Sequence, residues 1–365
     1  MTADTVGGVW TYSIELALSL AAAGTRVALA ALGPPATAEQ RAAAGAVPGL
    51  RLFQGHYRLP WMDDPWDDVR AAGDWLLQLA DQLNPDVVHL SEPVLAELPW
   101  KPPTVAVGHS CVLSWWQAVR GEAAPPTWSR YRNRMRAGFE AAGAVVAPSS
   151  AMLAALRFYY GVTDGCVIPN GRDPGRFPPG PKDPMVLAAG RLWDPAKNVA
   201  ALARVAARLA WPVYVAGDQR HPDSGADAGL GDDIRPLGLL PEPRLAHWLA
   251  RASIYALPAR YEPFGLGPLE AALAGCALVL GDIPSLREVW ADAAIFVSPN
   301  DEAALQSALE ALIAYPEYRD AMAARARQRA LSYSPKRMAA GYLRLYRALM
   351  YDRTARSAET AACVS

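Results

Sequence analysis

Two carboxylates, Glu262 and Glu270, flank a turn rich in glycine and proline within the segment 260–271. An apolar run at 252–257 precedes this turn, and a helical pattern follows it, with Pro268 suited to the first helical turn. Main-chain N–H groups at such a helix start bind anionic oxygens, and the two acids accept hydrogen bonds from hydroxyl groups. The combination favours a nucleotide-sugar ligand. Glycoside hydrolysis by one acid and one nucleophile is the competing interpretation of paired carboxylates.

Two cations lie at a second junction between a predicted strand and a predicted helix. Arg191 follows the strand predicted near 185–189, and Lys197 lies at the start of the next helical run. Cations beside a helix N-terminus are suited to a diphosphate, whereas a pair of solvated surface charges is the alternative. Glycoside hydrolysis would not require Arg191 and Lys197, so their presence favours the nucleotide-sugar.

Two further candidates lie in the first half of the chain. Gly7 and Gly8 precede a helical pattern at 10–22 and allow close approach of the backbone to a phosphate or a sugar, although an ordinary strand-to-helix turn is the alternative. His109 follows a strand predicted at 104–107, where a functional role competes with a purely structural one. Ligands of open parallel sheets bind beyond the carboxyl ends of the strands, so we expect all four clusters to face one crevice.

Strands and helices alternate along nearly the whole chain, which predicts an α/β protein with parallel sheets covered on both faces. A chain of 365 residues exceeds the size at which one hydrophobic core keeps growing. The alternation restarts after Pro169, which indicates two Rossmann-like domains. The predicted strands lie at 26–32, 50–53, 86–90, 104–107, 144–148, 185–189, 213–216, 234–237, 253–257, 277–281 and 294–297.

We expect an N-terminal domain at 1–168 and a C-terminal domain at 169–334, separated by a linker rich in proline and glycine. A last helix at 335–352 follows the second domain and is expected to pack back across the first. Only four residues precede Thr5, so we expect a shortened first strand, as from a misassigned start or a trimmed chain.

Together these residues resemble glycosyltransferase family 4, the retaining transferases of the GT-B fold. The resemblance implies two Rossmann-like domains whose parallel sheets face a central cleft, with a C-terminal helix that returns to the N-terminal domain. It also implies a hexosyltransferase-like enzyme of polysaccharide biosynthesis that needs no metal ion or other cofactor. The resemblance covers nearly the whole chain and includes Gly7-Gly8-Val9, His109, Ala147-Pro-Ser-Ser150, Ile168-Pro-Asn-Gly171, Gly190-Arg-Leu-x₄-Lys-Asn198, the motif from Glu262 to Glu270, and Pro284-Ser-Leu-Arg-Glu288.

The resemblance implies a donor-binding C-terminal domain. In it, Arg191 and Lys197 would neutralise the donor diphosphate, Glu262 would lie by the donor sugar ring, and Glu270 would bind the ribose hydroxyls. The remaining donor contacts would be main-chain amides, those of Gly8, Phe264, Gly265 and Leu266.

By the same resemblance, His109 would lie against the donor sugar and act in catalysis with Glu262, Arg191 and Lys197. Because no separate carboxylate nucleophile is evident, we favour attack on the same face of the sugar through an oxocarbenium-like state. Stabilisation of charge on the leaving diphosphate would then be the main catalytic contribution. Ser110 stands where many relatives carry an acid, which argues against a histidine–carboxylate relay.

The acceptor site would belong to the N-terminal domain, and the acceptor is a glycan, a lipid or a small molecule. Trp115, Trp116 and Arg120 are candidates to line it, with core packing as the alternative. Four arginines at 128–136 lie on a predicted helix, which is either simply solvated or a peripheral contact with anionic lipid.

The composition excludes several other classes. The net charge of −1 provides no global field for nucleic acid. Four scattered cysteines without a C-x-x-C pair argue against a zinc site or a disulfide framework and fit a cytoplasmic protein, with the inner face of the membrane as the alternative location. No G-x-G-x-x-G motif follows a predicted strand in this sequence, which excludes an NAD-dependent dehydrogenase. A GT-B nucleotide-sugar epimerase or phosphorylase and a non-catalytic nucleotide-sugar or carbohydrate-binding protein remain as alternatives.

Overall fold

The computed structural model describes residues 1–220, 225 and 229–362, with side chains up to residue 351. The chain divides into two compact units. Unit 1 comprises Met1–Ser114, Ala123–Gly171 and Pro335–Ser365, and unit 2 comprises Trp115–Glu122 and Arg172–Ser334.

In chain order, the first part contains seven strands and six helices. The strands are β1 (Thr2–Asp4), β2 (Ala28–Leu32), β3 (Arg51–Gln54), β4 (Val88–Leu90), β5 (Thr104–Val107), β6 (Ala144–Ala147) and β7 (Cys166–Val167). The helices are α1 (Gly8–Ala22), α2 (Ala38–Gly45), α3 (Trp66–Leu83), α4 (Val112–Arg120), α5 (Ser129–Ala141) and α6 (Ser150–Tyr160).

The second part continues the alternation. Its strands are β8 (Asp183–Ala189), β9 (Val213–Ala216), β10 (Ile234–Gly238), β11 (Ala252–Leu257), β12 (Ala277–Gly281) and β13 (Ile295–Val297). Its helices are α7 (Val199–Ala206), α8 (Glu242–Arg251), α9 (Leu266–Leu273), α10 (Pro284–Trp290), α11 (Glu302–Ala314) and α12 (Pro316–Ala330), and α13 (Pro335–Ala362) follows.

The strands of unit 1 pair in parallel as β3-β2-β1 and β4-β5-β6-β7. Thr2 joins the two groups, because its Oγ1 accepts a hydrogen bond from the Ser91 main-chain N–H at 2.8 Å, and its carbonyl accepts one from the Ser91 hydroxyl at 3.1 Å. The strand order therefore reverses between β1 and β4. In such sheets the crevice beyond this switch point is where ligands bind.

The first strand is short, as expected, and covers Thr2–Asp4. It nevertheless pairs with β2 along its whole length, from Thr2 opposite Ala30 to Asp4 opposite Leu32. The loop that carries Gly7 and Gly8 thus starts from a paired strand.

Helix α1 is buried on most of its surface, because helix α13 packs against it. Met338, Tyr342 and Tyr346 of α13 are buried in the same core. Hydrogen bonds reinforce this packing, since Nε2 of His89 lies 3.1 Å from the hydroxyl of Tyr12 and its Nδ1 lies 2.7 Å from the hydroxyl of Tyr346. The predicted return of the last helix to the N-terminal part agrees with its place in unit 1.

Unit 2 contains a six-stranded parallel sheet in the order β10-β9-β8-β11-β12-β13. Its central strands are fully buried and read as almost continuous apolar runs, as expected for a parallel sheet covered on both faces. The order reverses between β8 and β11. The segments that follow these two strands contain Arg191, Lys197, Glu262 and Gly265.

Candidate functional site

The segment after β8 is organised by Asp194, a buried acid to which the sequence analysis gave no role. Its Oδ1 accepts a hydrogen bond from the main-chain N–H of Ala196 at 2.9 Å, which starts a 3₁₀ turn at Pro195–Lys197. Its Oδ2 lies 3.0 Å from the guanidinium of Arg191. One carboxylate therefore orients Arg191 and shapes the turn that ends at Lys197. An Asp two residues before a main-chain N–H is a recognisable turn signal.

Asn198 fixes the position of this turn. Its backbone is left-handed, with φ of 55°, a conformation that asparagine tolerates better than most residues. For this reason helix α7 begins at Val199 and not at Asn198. The side-chain amide donates to the carbonyls of Pro258 at 2.9 Å and Pro299 at 2.8 Å. The segments after β8, β11 and β13 are thereby joined through one side chain.

Lys197 and Glu262 form an ion pair, with Nζ 2.6 Å from Oε2. Both side chains are only 14% exposed, so the pair is much less screened by water than a surface pair. Ser285 donates a hydrogen bond to the carbonyl of Glu262. The structure thus brings together a predicted phosphate-binding cation and a predicted sugar-binding acid.

Helix α9 starts at a left-handed glycine, Gly265, with φ of 95°, and no side chain caps this start. A Cβ at Gly267 would lie 2.6 Å from the hydroxyl of Tyr255, which itself donates to the carbonyl of Ala189 at 3.0 Å. The start of the helix is therefore packed directly against the ends of β8 and β11. Main-chain N–H groups in this arrangement are suited to anionic oxygens.

Glu270 lies in the same helix and is 8% exposed. Nε of Arg172 lies 2.9 Å from its Oε1. Glu262 and Glu270 thus have different cationic partners. The sequence motifs give no role to Arg172, which lies in the linker between the two predicted domains. Its signal there is a charged residue directly after the Ile168–Gly171 motif.

In unit 1, Gly8 is the first residue of α1, and no side chain caps this helix start either. His109 follows β5, and its ring lies edge-on to Tyr12 with centroids 4.5 Å apart. The residue is half-buried, but its Nε2 is enclosed and has no hydrogen-bond partner within the described chain. Burial lowers the pKa of His109 to about 3, so the imidazole is neutral at physiological pH.

Trp115, Trp116 and Arg120 lie on α4, in the short segment that belongs to unit 2. The indole N–H of Trp115 donates to Oδ1 of Asp194 at 3.1 Å. The rings of Trp115 and Trp116 meet edge to face, with centroids 5.9 Å apart, and the guanidinium of Arg120 lies 5.8 Å from the Trp116 ring. Of the three predicted acceptor residues, Trp115 therefore contacts the same aspartate as Arg191.

Glu92 is a buried acid near the end of β4 that the sequence analysis did not identify. Burial and the nearby charge of Asp4 raise the pKa of Glu92 to about 8. Its Oε2 has no hydrogen-bond partner among the described side chains. The signal that could have identified Glu92 is a charged residue two positions after a predicted strand, the same position that Arg191 has in unit 2.

Within the described ranges, no group of histidine, cysteine, aspartate and glutamate side chains could hold a metal ion. Across the same residues, no helix is both long and apolar enough to cross a membrane. Cys111, Cys166 and Cys276 are free thiols, and Cys363 lies outside the described residues.

Known families match both parts of the chain. The model of a family described as Glycosyltransferase Family 4 matches residues 6–176, and that of Glycosyl transferases group 1 matches residues 183–315. Among curated proteins, the D-inositol 3-phosphate glycosyltransferase of Frankia alni is 35% identical over 124 residues, which are 33% of this chain and 30% of that protein. The chain spans less than half the length of the first curated relatives that it matches.

Solved structures share the fold at low sequence identity. Sucrose-phosphate synthase from Thermosynechococcus elongatus superposes with a TM-score of 0.80 and 20% identity, covering 95% of this chain and 96% of that one. Anabaena Alr3699/HepE in complex with UDP-glucose gives a TM-score of 0.74 and 16% identity, covering 95% and 99%. The predicted α/β fold of GT-B type, with two Rossmann-like domains, is confirmed.

The raised pKa of Glu92 predicts how the free energy of unfolding changes with pH. The folded protein keeps this carboxyl protonated up to about pH 8, whereas the unfolded chain ionises it above about 4.5, so unfolding releases a proton between these values. The free energy of unfolding of the wild type, relative to Glu92→Gln, should therefore fall by about 1.4 kcal/mol per pH unit across this window. Urea denaturation at pH 5.5, 6.5 and 7.5 measures it.

Taking the difference between the two proteins removes the contributions of other groups. These include His109, whose lowered pKa makes stability rise with pH between about 3 and 6.5. The exposed Glu140→Gln variant is the control, because its carboxylate remains in water in both states. A constant difference between wild type and Glu92→Gln would show that Glu92 is ionised in the folded protein.

Proposed function

Because the chain belongs to glycosyltransferase family 4, we propose that it transfers a sugar from a nucleoside diphosphate sugar to an acceptor hydroxyl with retention of configuration. The observation that carries this proposal is the Lys197–Glu262 ion pair beside the uncapped start of α9, at the switch point of unit 2. A cation, an acid and main-chain donors meet there, as recognition of both a diphosphate and a sugar requires.

The proposed donor site assigns the diphosphate to Lys197, Arg191 and the main-chain amides of Phe264, Gly265 and Leu266. Lys197 is paired with Glu262, so a bound diphosphate would share this ammonium group or displace the acid from it. Glu262 would then be able to turn towards the hydroxyls of the donor sugar. The Anabaena protein of the same fold binds UDP-glucose, which supports a donor of this class.

In the proposed reaction, the acceptor oxygen attacks the anomeric carbon on the face from which the diphosphate leaves. The bond from this carbon to the diphosphate oxygen breaks, and its electron pair stays on the diphosphate. A phosphate oxygen takes the acceptor proton. Arg191 and Lys197 stabilise the negative charge that develops on the leaving group, and this is the largest contribution that the site can make.

The roles that the resemblance implies for Gly8 and His109 remain predictions. The Gly8 amide is at an uncapped helix start, which supports a contact with an anionic oxygen. The neutral imidazole of His109 would form a hydrogen bond with a sugar hydroxyl without adding a charge. Its enclosed Nε2, which has no partner in the described chain, supports a bond of this kind.

For the acceptor, we retain Trp115, Trp116 and Arg120 as proposed contacts. Aromatic faces pack well against sugar rings and apolar chains. Asp194 accepts hydrogen bonds from both Trp115 and Arg191. A proposed acceptor contact and a residue proposed to bind the diphosphate are therefore oriented by the same carboxylate. That shared partner supports an acceptor site adjacent to the donor.

Lys197→Ala tests the donor site. Loss of a charged hydrogen bond to the diphosphate should lower kcat/KM for the donor by about 10- to 150-fold. A panel of UDP-glucose, GDP-mannose and ADP-glucose, assayed for slow hydrolysis and for thermal shift, first identifies the donor. Arg204→Ala is the matched control, because Arg204 forms an equally short ion pair with Glu302 at an exposed position of the same unit. If no nucleotide-sugar binds and Lys197→Ala changes nothing, the proposal is wrong.

A second pair of variants separates the two acids. Glu270→Ala should mainly weaken donor binding, because its proposed partner is the ribose, which does not react. Glu262→Ala should mainly lower turnover, because its proposed partner is the sugar that acquires charge. Steady-state kinetics with the identified donor give KM and kcat for each variant. Equal, small effects on both constants in both variants would contradict these roles.

We further propose a cytoplasmic protein with a peripheral contact to anionic lipid on unit 1. Arg130, Arg132 and Arg136 of α5 are exposed, and Phe158 on the adjacent helix α6 is 81% exposed. Basic groups and an exposed aromatic ring on two neighbouring helices are suited to a membrane surface. The free thiols of the described cysteines support a reducing compartment.

Vesicle sedimentation tests this contact. Binding to vesicles of phosphatidylglycerol and phosphatidylcholine should fall several-fold in Arg132→Glu, since each basic residue near the surface contributes about 1 kcal/mol. Arg325→Glu, the same charge change at an exposed position of unit 2, should bind as the wild type does. Equal binding to vesicles with and without the anionic lipid would exclude the contact.

A further inference from the structure

We propose that Arg172 positions the carboxylate of Glu270 and thereby gives the donor site its preference for ribose over deoxyribose, an inference that rests on the proposed function. No role in donor recognition is assigned to Arg172 by the motifs that identify the family. The observation behind the inference is a buried ion-pair network in unit 2 that ends on the acid proposed to bind the ribose.

Arg172 is the most buried charged residue of this network, at 1% exposure. Its Nε lies 2.9 Å from Oε1 of Glu270, and one of its terminal nitrogens lies 2.6 Å from Oε2 of Glu242. Arg176 pairs with the other oxygen of Glu242 at 3.0 Å. Two cations therefore balance two acids, so the buried guanidinium is not left with an unbalanced charge.

The guanidinium of Arg172 is also fixed by packing. Its carbon lies 4.9 Å from the centre of the Phe177 ring, which is completely buried. Its main-chain N–H donates to the carbonyl of Tyr333 at 3.1 Å. The backbone of Arg172, the plane of its guanidinium and its second acid partner, Glu242, are thus all held in place. Such a guanidinium can hold the carboxylate of Glu270 in a defined orientation.

Orientation matters because of the geometry of the proposed ligand. The terminal torsion of a glutamate is broad, so the plane of an isolated carboxylate is poorly defined. The 2′- and 3′-hydroxyls of a ribose are adjacent and present two donors in one direction. A carboxylate held beside Arg172 by this ion pair can meet both hydroxyls at a smaller ordering cost on binding. Pairing with Arg172 also favours the ionised form, which only accepts hydrogen bonds.

The preference for ribose measures this function directly. Isothermal titration with UDP, GDP and ADP identifies the nucleoside diphosphate that binds, and the 2′-deoxy form of the same nucleotide is then titrated. The wild type should bind the ribonucleotide about tenfold more tightly, as expected for one hydrogen bond to a charged group. In Arg172→Met the ribonucleotide should lose most of this advantage, whereas binding of the deoxynucleotide should hardly change.

Two further variants distinguish positioning from simple stability. Arg172→Lys keeps the charge but lacks the planar, multi-donor group, so it should recover only part of the preference. Lys182→Met removes a cation that donates to the carbonyl at the end of α9, Ala274, at 2.7 Å. It should lower the melting temperature yet leave the ratio of the two dissociation constants as in the wild type.

The outcomes for the two hypotheses differ. A wild type without a ribose preference would contradict the proposed role of Glu270, and with it the basis of the inference. A wild type with the preference, combined with an unchanged ratio in Arg172→Met, would overturn the inference alone. If Arg172→Met does not fold, Arg172→Lys decides, because a wild-type ratio in that variant would show that the planar guanidinium is not needed.

Discussion

Burial of two acids, Glu262 and Glu270, is the constraint on which the geometry of the candidate site in unit 2 depends. Glu262 and Glu270 are both largely removed from water, and a carboxylate in that environment is costly unless a cation lies against it. Lys197 and Arg172 supply these cations from segments distant in sequence. The segments are held in place by neutral groups, of which the Asn198 amide is the clearest example. The acids are thus stabilised by charge pairing, and their side chains keep a small exposed fraction, 14% for Glu262 and 10% for Glu270.

The two units apply one topological principle twice. In each, the strand order reverses once, between β1 and β4 or between β8 and β11, and several of the candidate site residues lie in the segments after those strands. The electrostatics differ, however. Unit 2 has charged groups at its reversal, whereas unit 1 contains a neutral imidazole at His109 and a protonated Glu92. A site that meets a diphosphate needs cationic charge, whereas a neutral imidazole can bind a sugar hydroxyl without adding charge.

The fold was predictable because it depends on local patterns, and the same patterns identified most residues of the proposed donor site. Apolar runs placed the strands, and the motif around Glu262 placed the start of α9. Side-chain partners over long sequence separations were not predictable. Lys197 and Glu262 were assigned to different parts of a ligand, and their mutual contact depends on how two loops approach each other. Arg172 was missed because proline and glycine around it predict only irregular chain, and such a pattern carries no information about which acid a buried guanidinium reaches.

Helix α13 has a consequence for biosynthesis. Its residues Met338, Tyr342 and Tyr346 complete the core that α1 begins, so unit 1 is made of an early and a late segment of this chain. Unit 2 is almost continuous and ends at Ser334, before this helix is synthesised. Domains usually fold in the order in which they leave the ribosome. Here the order of completion is reversed: the surface of α1 that α13 covers stays uncovered until the whole of unit 2 has been synthesised.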